Sequence, residues 1–282
     1  MGRVNREFLT ENLIAGVYTN KDKYFKQFTD NWQEYYSNVE LIYNVDEGKI
    51  NENMEKLRHK FMNSDKRYWL FMDDDILFTR NDVIETCLYY MQKNDLDLIT
   101  TYQSTDLDLV KKANPENLTF EYICWGAGYF MLIDSKKCGL IPFDLNLPTT
   151  HGSLSDIAYC MDIIEKEDAL IGIAPTLIYH KGDYSPQVEK LKITKENEKQ
   201  INENVSVFLK NLDPKLLYND PKIEIVLLGN GEIDYNETIG HHYLKHKHPD
   251  IYYEIVARLH YDRVKKNTNA VDGFSHHYFG EK

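Results

Sequence analysis

A run of three aspartates is the feature of this sequence that most directly suggests chemistry. Asp73, Asp74 and Asp75 follow the apolar segment 68–72, where adjacent carboxylates repel one another and lose hydration. A divalent cation would relieve this repulsion, and carboxylate oxygens suit Mg²⁺ or Mn²⁺, which can also neutralise the phosphates of a nucleotide. The alternative is a solvated acidic turn, and the run taken alone does not decide between the two.

Histidines are the other candidate ligands. His180 follows a long apolar run, although a lone histidine is more often structural than metal-binding. His151 lies in a loop-like segment, where it could belong to a binding site or be a loop histidine without a metal-binding role. A cluster near the C-terminus could hold zinc, but no cysteine accompanies it and helical histidines are often solvated. The cluster comprises His241, His242, His246 and His248.

Alternating strands and helices are predicted to position these residues. Apolar runs predict strands at 13–19, 39–45, 68–72, 97–101, 122–133 and 170–179, and helical spacing predicts helices at 22–36, 51–63, 81–93 and 155–166. The βαβαβ order predicts a parallel sheet with its ligand crevice at the carboxyl ends of the strands. Asp46 and the acidic run both lie at such ends.

Length and composition exclude several classes of protein. The chain has 282 residues, of which 42% are hydrophobic and 28% are charged, which excludes a disordered or collagen-like protein. No apolar run approaches the roughly 20 residues that span a bilayer, and the start does not resemble a signal peptide. We therefore expect a soluble, cytoplasmic protein without integral membrane association. The four cysteines are widely separated, which predicts reduced core thiols.

Charge is distributed unevenly along the chain. The formal net charge of -12 argues against binding nucleic acid with the whole surface. Residues 241–282, however, hold seven Lys or Arg against five Asp or Glu, a balance of +2. The basic side chains there, from Arg258 to Lys266, would suit an anionic acceptor, or would simply lie on a solvated helix.

Composition also shifts near residue 185, which predicts two parts. We expect a catalytic domain over 1–188 and a mainly helical extension over 189–282 that binds the acceptor. Within the extension, 190–209 and 249–266 have helical character and 222–228 has strand character.

Taken in order, the motifs resemble those of the family 2-like inverting glycosyltransferases of the GT-A fold. The matching segments are Leu13 to Asn20, Val45-Asp46-Glu47-Gly48, Phe71-Met72-Asp73-Asp74-Asp75, Trp125 to Phe130, Phe143-Asp144, Ser155-Asp156-Ile157-Ala158 and Pro175 to His180. The resemblance covers about residues 12–183. It implies an α/β, Rossmann-like fold with a mixed, mostly parallel sheet flanked by helices.

The resemblance also implies roles for individual residues. Donor binding would involve Thr19, Asn20, Asp46, Asp73 and Asp74, with Asp46 recognising uracil and Asp73 directed toward the ribose or the metal. The metal, Mn²⁺ or Mg²⁺, would be held by Asp75 and His180. The acceptor side would contain Trp125, Gly126 and His151, with Asp156 as the general base.

The sequence departs from the family pattern at two places. Ser155 and Ala158 replace acidic residues of the Glu-Asp-x-Asp motif, which leaves Asp156 as its one carboxylate. Asp156 could instead merely cap its helix. The arginine that follows the motif is also missing, so another cation must assist the diphosphate. Arg58 and Lys56 are candidates by approximate position.

The resulting prediction is metal-dependent transfer of a sugar from a nucleotide sugar, expected to be UDP-linked, to an acceptor hydroxyl with inversion. One alternative is a catalytically inactive nucleotide-sugar-binding module, which the altered motif favours. Another is a sugar-phosphate nucleotidyltransferase, which the lack of a basic glycine-rich loop after the first strand disfavours. The acceptor stays open between a glycan and a hydroxymethylated DNA base. The second is considered because the Lys/Asn/Tyr-rich composition resembles that of AT-rich phage genomes, which would place the protein in the host cytoplasm.

Overall fold

The structure, a computed structural model, covers most of the chain. The described residues are 4–19, 22–45, 49–126, 128–149, 154–181, 195–218, 220, 222–227 and 232–256. Three predicted site residues, Asn20, Asp46 and His151, lie outside them. The basic tail residues from Arg258 to Lys266 also lie outside the described residues.

Strands and helices alternate along the chain. The strands are β1 (Leu13–Thr19), β2 (Glu40–Val45), β3 (Tyr68–Asp73), β4 (Ile76–Leu77), β5 (Leu98–Ser104), β6 (Glu121–Ile123), β7 (Phe130–Asp134) and β8 (Ile171–His180). The helices are α1 (Arg6–Asn12), α2 (Asp22–Tyr36), α3 (Ile50–Met62), α4 (Val83–Lys93), α5 (Leu107–Lys112), α6 (Ser135–Cys138), α7 (Ser155–Glu167), α8 (Lys195–Asn211) and α9 (Tyr235–Lys247).

The strands form one mixed sheet. Its order is β2-β1-β3-β7-β5-β8-β4, and β6 pairs with β8. The pairs β1–β2, β1–β3 and β5–β8 are parallel, whereas β7 runs antiparallel between β3 and β5, and β4 and β6 are antiparallel to β8. Five strands therefore point the same way. The expected α/β fold with a mixed sheet flanked by helices is confirmed.

Side-chain alternation directs the strand residues into two cores, one on each face of the sheet. On one face, Leu13, Ala15 and Val17 of β1 pack with residues of α2 and α4 such as Phe28 and Leu88. On the other face, residues of β1 and β3 pack with α3 and α7; they include Ile14, Phe71, Leu57, Phe61 and Tyr159. With helices on both faces, polar side chains of the sheet are directed to the strand ends.

Some predicted elements differ from the observed ones. The strand predicted at 122–133 is two strands, because β6 pairs with β8 whereas β7 pairs with β3 and β5. The strand predicted at 222–228 is not formed over the described residues 222–227, where Leu227 makes an isolated bridge to Ile233 and lies next to no strand of the sheet. The helix predicted at 249–266 is described as far as residue 256 and is helical over 252–256.

Two expectations from composition can be compared with the structure. All four cysteines are buried and unpaired, as predicted. None of the helices within the described ranges combines the length and the apolar character needed to cross a membrane.

The histidine cluster lies on α9 and just beyond it, where no element was predicted, and three of its rings are buried rather than solvated. His241 and His242 are each 4% exposed and His248 is fully buried. His242 Nε2 lies 3.1 Å from the Leu217 carbonyl oxygen. The four histidines do not form a potential metal site in the part of the chain that is described. They are buried because α9 packs against α7.

A half-buried lysine connects this extension to the sheet domain. Lys247 Nζ lies 2.7 Å from Asp144 Oδ2 and 2.7 Å from Asp162 Oδ2, and the two carboxylate side chains are 6% and 2% exposed. Tyr243 OH also donates to Asp144. Because buried carboxylates need a partner, this lysine stabilises the docking of α9.

We predict that Lys247→Met lowers the free energy of unfolding by about 3 kcal/mol, because it removes the cation that Asp144 and Asp162 share. Urea unfolding monitored by circular dichroism measures the change. Lys26→Met is the control, since its pair with Asp30 is exposed and should contribute less than about 1 kcal/mol. Equal losses in the two variants would contradict the assigned role of Lys247.

Candidate active site

The acidic run lies where β3, β4 and β8 meet. β3 ends at Asp73, the chain turns, and β4 pairs with the end of β8 so that Ile76 lies opposite His180. The backbone N–H of Lys181 donates to the Asp75 carbonyl oxygen at 3.1 Å. Backbone pairing therefore holds the acidic turn against the histidine.

Asp73, Asp75 and His180 form a group that could hold a metal ion. His180 Nε2 lies 3.1 Å from Asp75 Oδ1 and 3.6 Å from Asp73 Oδ2. One ligand atom from each of the three residues lies within 4.8 Å of the others, and all three residues are half-buried. The imidazole nitrogen favours Mn²⁺ over Mg²⁺, since Mg²⁺ prefers oxygen ligands.

The titration behaviour of this group reflects crowded negative charge. Burial raises the pKa of Asp73 to about 7, and the charge of Asp75 adds to this effect, while His180 and the Tyr18 hydroxyl oppose it. Burial lowers the pKa of His180, but its hydrogen bond with Asp75 and the charges of Asp75 and Asp73 outweigh burial and raise it. Protons therefore occupy this site near neutral pH, and a bound metal would displace them.

Two residues that the sequence did not identify orient His180. Gln103 Oε1 is hydrogen-bonded to His180 Nδ1, and the Tyr129 ring stacks on the imidazole with centroids 4.9 Å apart and 27° between the planes. With Nδ1–H donating to Gln103, Nε2 faces the carboxylates of Asp75 and Asp73, where it can bind a metal once its proton is displaced. The pairing of β5 with β8 brings Gln103 to this position. Nothing in the local sequence around Gln103 signals the contact.

β1 supplies two hydroxyl groups to the acidic run. Tyr18 lies opposite Asp73 in the strand register, and its OH donates to Asp73 Oδ1. Thr19 Oγ1 donates to Asp74 Oδ2, and Thr19 is buried. Thr19 therefore lies beside the acidic run, where its hydroxyl contacts the Asp74 carboxylate. This contact is possible because β1 and β3 are parallel and end at the same edge of the sheet.

Asp156 lies in the first turn of α7 and connects that helix to the glycine segment before β7. Its Oδ2 accepts the Gly128 N–H at 3.0 Å and its Oδ1 accepts the Ile157 N–H at 2.9 Å. Gly128 precedes Phe130, which pairs with Met72 near the carboxyl end of β3. Asp156 and the acidic run therefore lie at the same edge of the sheet. Burial raises the pKa of Asp156, whereas its backbone hydrogen bonds oppose the shift.

The predicted acceptor-side residues Trp125 and Gly126 lie just before this segment. Gly126 is buried, its N–H donates to Cys160 Sγ at 3.1 Å, and a Cβ there would collide with Leu98. The missing side chain thus makes room for Leu98, which accounts for glycine at 126 without any sugar. Trp125 is half-buried and packs against three hydrophobic clusters.

Arg58 is not brought to the acidic run. Its guanidinium is 6% exposed, pairs with Glu55 at 2.7 Å and donates to the Gly139 carbonyl oxygen at 3.0 Å. Gly139 follows β7. The end of β7, at Asp134, pairs with Tyr68 at the start of β3, whereas Asp73 lies at the other end of β3. The approximate position of Arg58 in the sequence suggested a donor contact, but the guanidinium is instead held in this buried ion pair.

A different cation, Lys181, adjoins the cluster. It follows His180 directly, its Nζ donates to Tyr24 OH at 2.7 Å, and Nζ lies 4.0 Å from the centroid of the Tyr24 ring. The sequence could have suggested Lys181 as a cation near the site, because it directly follows the candidate ligand His180. The backbone N–H of Lys181 is bonded to the acidic turn, whereas its ammonium lies on Tyr24.

No protein-family model and no curated protein matches the sequence. Among solved structures, the chain is similar to the mannosyltransferase PcManGT from Pyrobaculum calidifontis in complex with GDP-Man and Mn²⁺, with 10% identity, coverage of 92% of this chain and 76% of that chain, and a TM-score of 0.43. It is similar to TarS 1-349 from S. aureus, with 12% identity, coverage of 92% and 88%, and a TM-score of 0.44. A third is GalNAc-T7 with UDP, GalNAc and Mn²⁺, with 10% identity, coverage of 63% and 39%, and a TM-score of 0.41. At these low scores, function must be argued from the residues of this chain.

We predict that Mn²⁺ binds without nucleotide and that Asp75→Asn or His180→Ala weakens it at least 10-fold, because each removes a ligand. Since a raised pKa means that Asp73 retains its proton below about pH 7, the affinity of the unmodified protein should increase as pH rises toward 7 and then level off. Calorimetry at pH 6, 7 and 8 tests both statements. Asp30→Asn, on the exposed side of α2, is the control; unchanged binding in both ligand variants would refute the site.

We predict that Arg58→Met lowers the free energy of unfolding by about 3 kcal/mol, because Glu55 is left buried without its cation. Affinity for a nucleotide should be unchanged within 2-fold, as expected for a residue outside the site. Chemical denaturation and calorimetry with UDP and Mn²⁺ measure the two quantities. A stable variant that has lost nucleotide binding would restore Arg58 as a donor contact.

Proposed function

We propose that this chain is a metal-dependent glycosyltransferase that moves a sugar from a nucleotide sugar to an acceptor hydroxyl. The observation that carries the proposal is the arrangement of Asp73, Asp75, His180 and Asp156 at one edge of the sheet, where the parallel strands end. In open α/β sheets this edge is where ligands bind. A carboxylate–imidazole cation site next to a separate carboxylate suits diphosphate departure and proton removal.

The donor half of the site would extend from the acidic run toward β1 and α2. Thr19 and Tyr18 position the carboxylates of Asp74 and Asp73. On the sequence resemblance, Asn20 and Asp46 contact the nucleotide, with uracil as the preferred base. The substrate class proposed for this donor half is a nucleoside diphosphate sugar.

Neutralisation of the diphosphate would require positive charge at this edge. A divalent cation held by Asp75 and His180, with Asp73, would supply it when bound, and Mn²⁺ fits the mixed oxygen and nitrogen ligands. We assign Lys181 as the second cation, in place of Arg58, because it directly follows a ligand and its ammonium lies on the Tyr24 side of the site.

Asp156 would act as the general base. Its two oxygens each accept one backbone hydrogen bond, and a carboxylate oxygen can accept a second. It takes the proton of the acceptor hydroxyl as that oxygen bonds to the anomeric carbon and the bond from that carbon to the diphosphate oxygen breaks. The electron pair leaves with the diphosphate. A single displacement of this kind inverts the anomeric configuration.

A non-catalytic nucleotide-sugar-binding module is the second candidate. It is favoured by Ser155 and Ala158, which replace acidic residues of the resembled motif, and by the backbone contacts of Asp156, which would equally suit a purely structural residue. Turnover, rather than binding, separates the two candidates. The extension from residue 189 is the proposed acceptor-binding part, with a glycan or a modified DNA base as acceptor.

We predict that incubation with Mn²⁺ and a panel of nucleotide sugars releases nucleotide, detected by mass spectrometry, from at least one donor. Asp156→Asn should slow the release by ~10²–10⁴ and leave the affinity for the nucleotide intact, because it removes the base but keeps the side-chain size.

The control for this experiment is Asp108→Asn. Asp108 also lies in the first turn of a helix, α5, but it is exposed and belongs to no candidate site. Binding of a nucleotide sugar without any turnover would favour the binding module. Equal turnover in Asp156→Asn and the unmodified protein would place the base elsewhere.

A further inference from the structure

Tyr129 contacts two of the three candidate metal ligands, each through a different group. Its backbone carbonyl oxygen accepts the Asp73 N–H at 3.3 Å. Its ring stacks on the imidazole of His180, with the ring centroids 4.9 Å apart. Tyr129 is 7% exposed. A single buried residue thus holds the backbone of one ligand and the side chain of another.

The hydroxyl group of Tyr129 is anchored at an irregular point of the sheet. It donates to the Thr101 carbonyl oxygen at 2.5 Å. The register between β5 and β8 shifts just after Thr101, because Thr101 lies opposite Ala174 whereas Tyr102 lies opposite Leu177. Extra residues in one strand form a bulge, which interrupts the ladder of backbone hydrogen bonds. A carbonyl group beside a bulge is therefore a suitable acceptor for a side-chain hydroxyl.

The same bulge determines the position of His180. Beyond it, Gln103 lies opposite Ile178, two residues before His180. This register brings Gln103 Oε1 into hydrogen-bond contact with His180 Nδ1. Tyr129 therefore contacts both the bulge that sets the register and the imidazole whose position depends on it.

The residue before Tyr129 contacts the proposed base. The Gly128 N–H donates to Asp156 Oδ2 at 3.0 Å. Tyr129 belongs to the core beneath α2 and α4, whereas Asp156 lies on α7, which packs on the opposite face of the sheet. Two consecutive residues thus connect a carboxylate on one side of the sheet with the ligands of the metal site.

We propose that Tyr129 is a positioning residue that couples the metal ligands to Asp156. Its ring fixes the imidazole of His180, its carbonyl group fixes the backbone of Asp73, and its peptide bond to Gly128 links both to the Asp156 carboxylate. The proposal rests on the glycosyltransferase function proposed above, in which these groups act on one substrate.

Two physical effects make metal binding sensitive to Tyr129. An imidazole that binds a cation shares its positive charge, and positive charge is attracted to the face of a tyrosine ring. A ligand that is already fixed in position also loses less conformational freedom when it binds. Removal of the Tyr129 ring should therefore weaken metal binding although no ligand is removed. A displacement of Gly128 should act on the same ligands from the Asp156 side.

Calorimetry with Mn²⁺ alone tests the role of the ring. Tyr129→Leu should weaken binding about 10-fold, as is usual when a group that orients a metal ligand is lost. Tyr129→Phe keeps the ring and should bind Mn²⁺ within about 2-fold of the unmodified protein, since stacking on His180 is retained.

Tyr36→Leu is the matched control for the loss of a buried ring. Tyr36 is 1% exposed and its ring packs against Trp32 and Phe78, at the end of α2. This variant should lose stability without a change in Mn²⁺ affinity. Thermal unfolding measures the stability of every variant and shows whether it is folded.

A comparison of two Asp156 variants tests the coupling. Asp156→Asn and Asp156→Ala both remove the negative charge, but only asparagine keeps an oxygen that can accept the Gly128 N–H. Asp156→Ala should therefore bind Mn²⁺ about 3-fold more weakly than Asp156→Asn. In the Tyr129→Leu background this difference should disappear, because the connection to His180 is broken. The comparison of the two single Asp156 variants remains decisive even where Tyr129→Leu does not fold.

The outcomes distinguish this inference from the function on which it rests. Equal Mn²⁺ affinity in the two Asp156 variants, or unchanged affinity in Tyr129→Leu, would overturn the coupling while the function stands. A difference between the Asp156 variants that persists in the Tyr129→Leu background would overturn the role of Tyr129. If the unmodified protein does not bind Mn²⁺, the metal site and this inference fail together. Lack of nucleotide release from every donor would refute the function, whereas the coupling is measured with Mn²⁺ alone.

Discussion

Adjacent carboxylates at the end of a buried strand repel one another, and much of this molecule is arranged to accommodate that repulsion. Tyr18 and Thr19 donate hydroxyl hydrogens to Asp73 and Asp74, and His180 approaches Asp75. Even so, burial raises the pKa of Asp73 to about 7. Neighbouring polar groups therefore reduce the electrostatic cost of burying these carboxylates without removing it. The repulsion that remains favours the binding of a cation.

The helix α7 connects this acidic edge to the rest of the chain. Its first turn bonds the glycine segment through Asp156 and Gly128, and its flank carries α9 through Asp162 and Lys247. A displacement of α9 would therefore act on the same helix that carries the proposed base. The extension is thus connected through α7 to the acidic edge, although it lies outside the sheet.

The sequence was most informative where one strand or one turn determined the outcome. Fully buried parallel strands such as β1 and β3 are continuous apolar runs, and the acidic run and His180 stand at the ends of such runs. Gln103 could not be found in this way, because the register between β5 and β8 brings it to His180 from a distant position in the chain. Arg58 is a case in which the sequence misled. Its positive charge would suit a diphosphate, but the side chain pairs with Glu55, a contact that the spacing of three residues along a helix allows but does not require.

The same charge distribution bears on the order in which substrates could bind. A nucleoside diphosphate sugar is itself an anion. The described cation nearest to the cluster in sequence is Lys181, whose ammonium contacts Tyr24. One ammonium cannot offset both the acidic run and a diphosphate, so a donor without a divalent cation would meet net repulsion at this edge. Binding of cation and donor should consequently be strongly coupled, each increasing the affinity for the other. Asp156 is not electrostatically separate from this cluster, because Tyr18 is coupled to Asp73, Asp75 and Asp156 together.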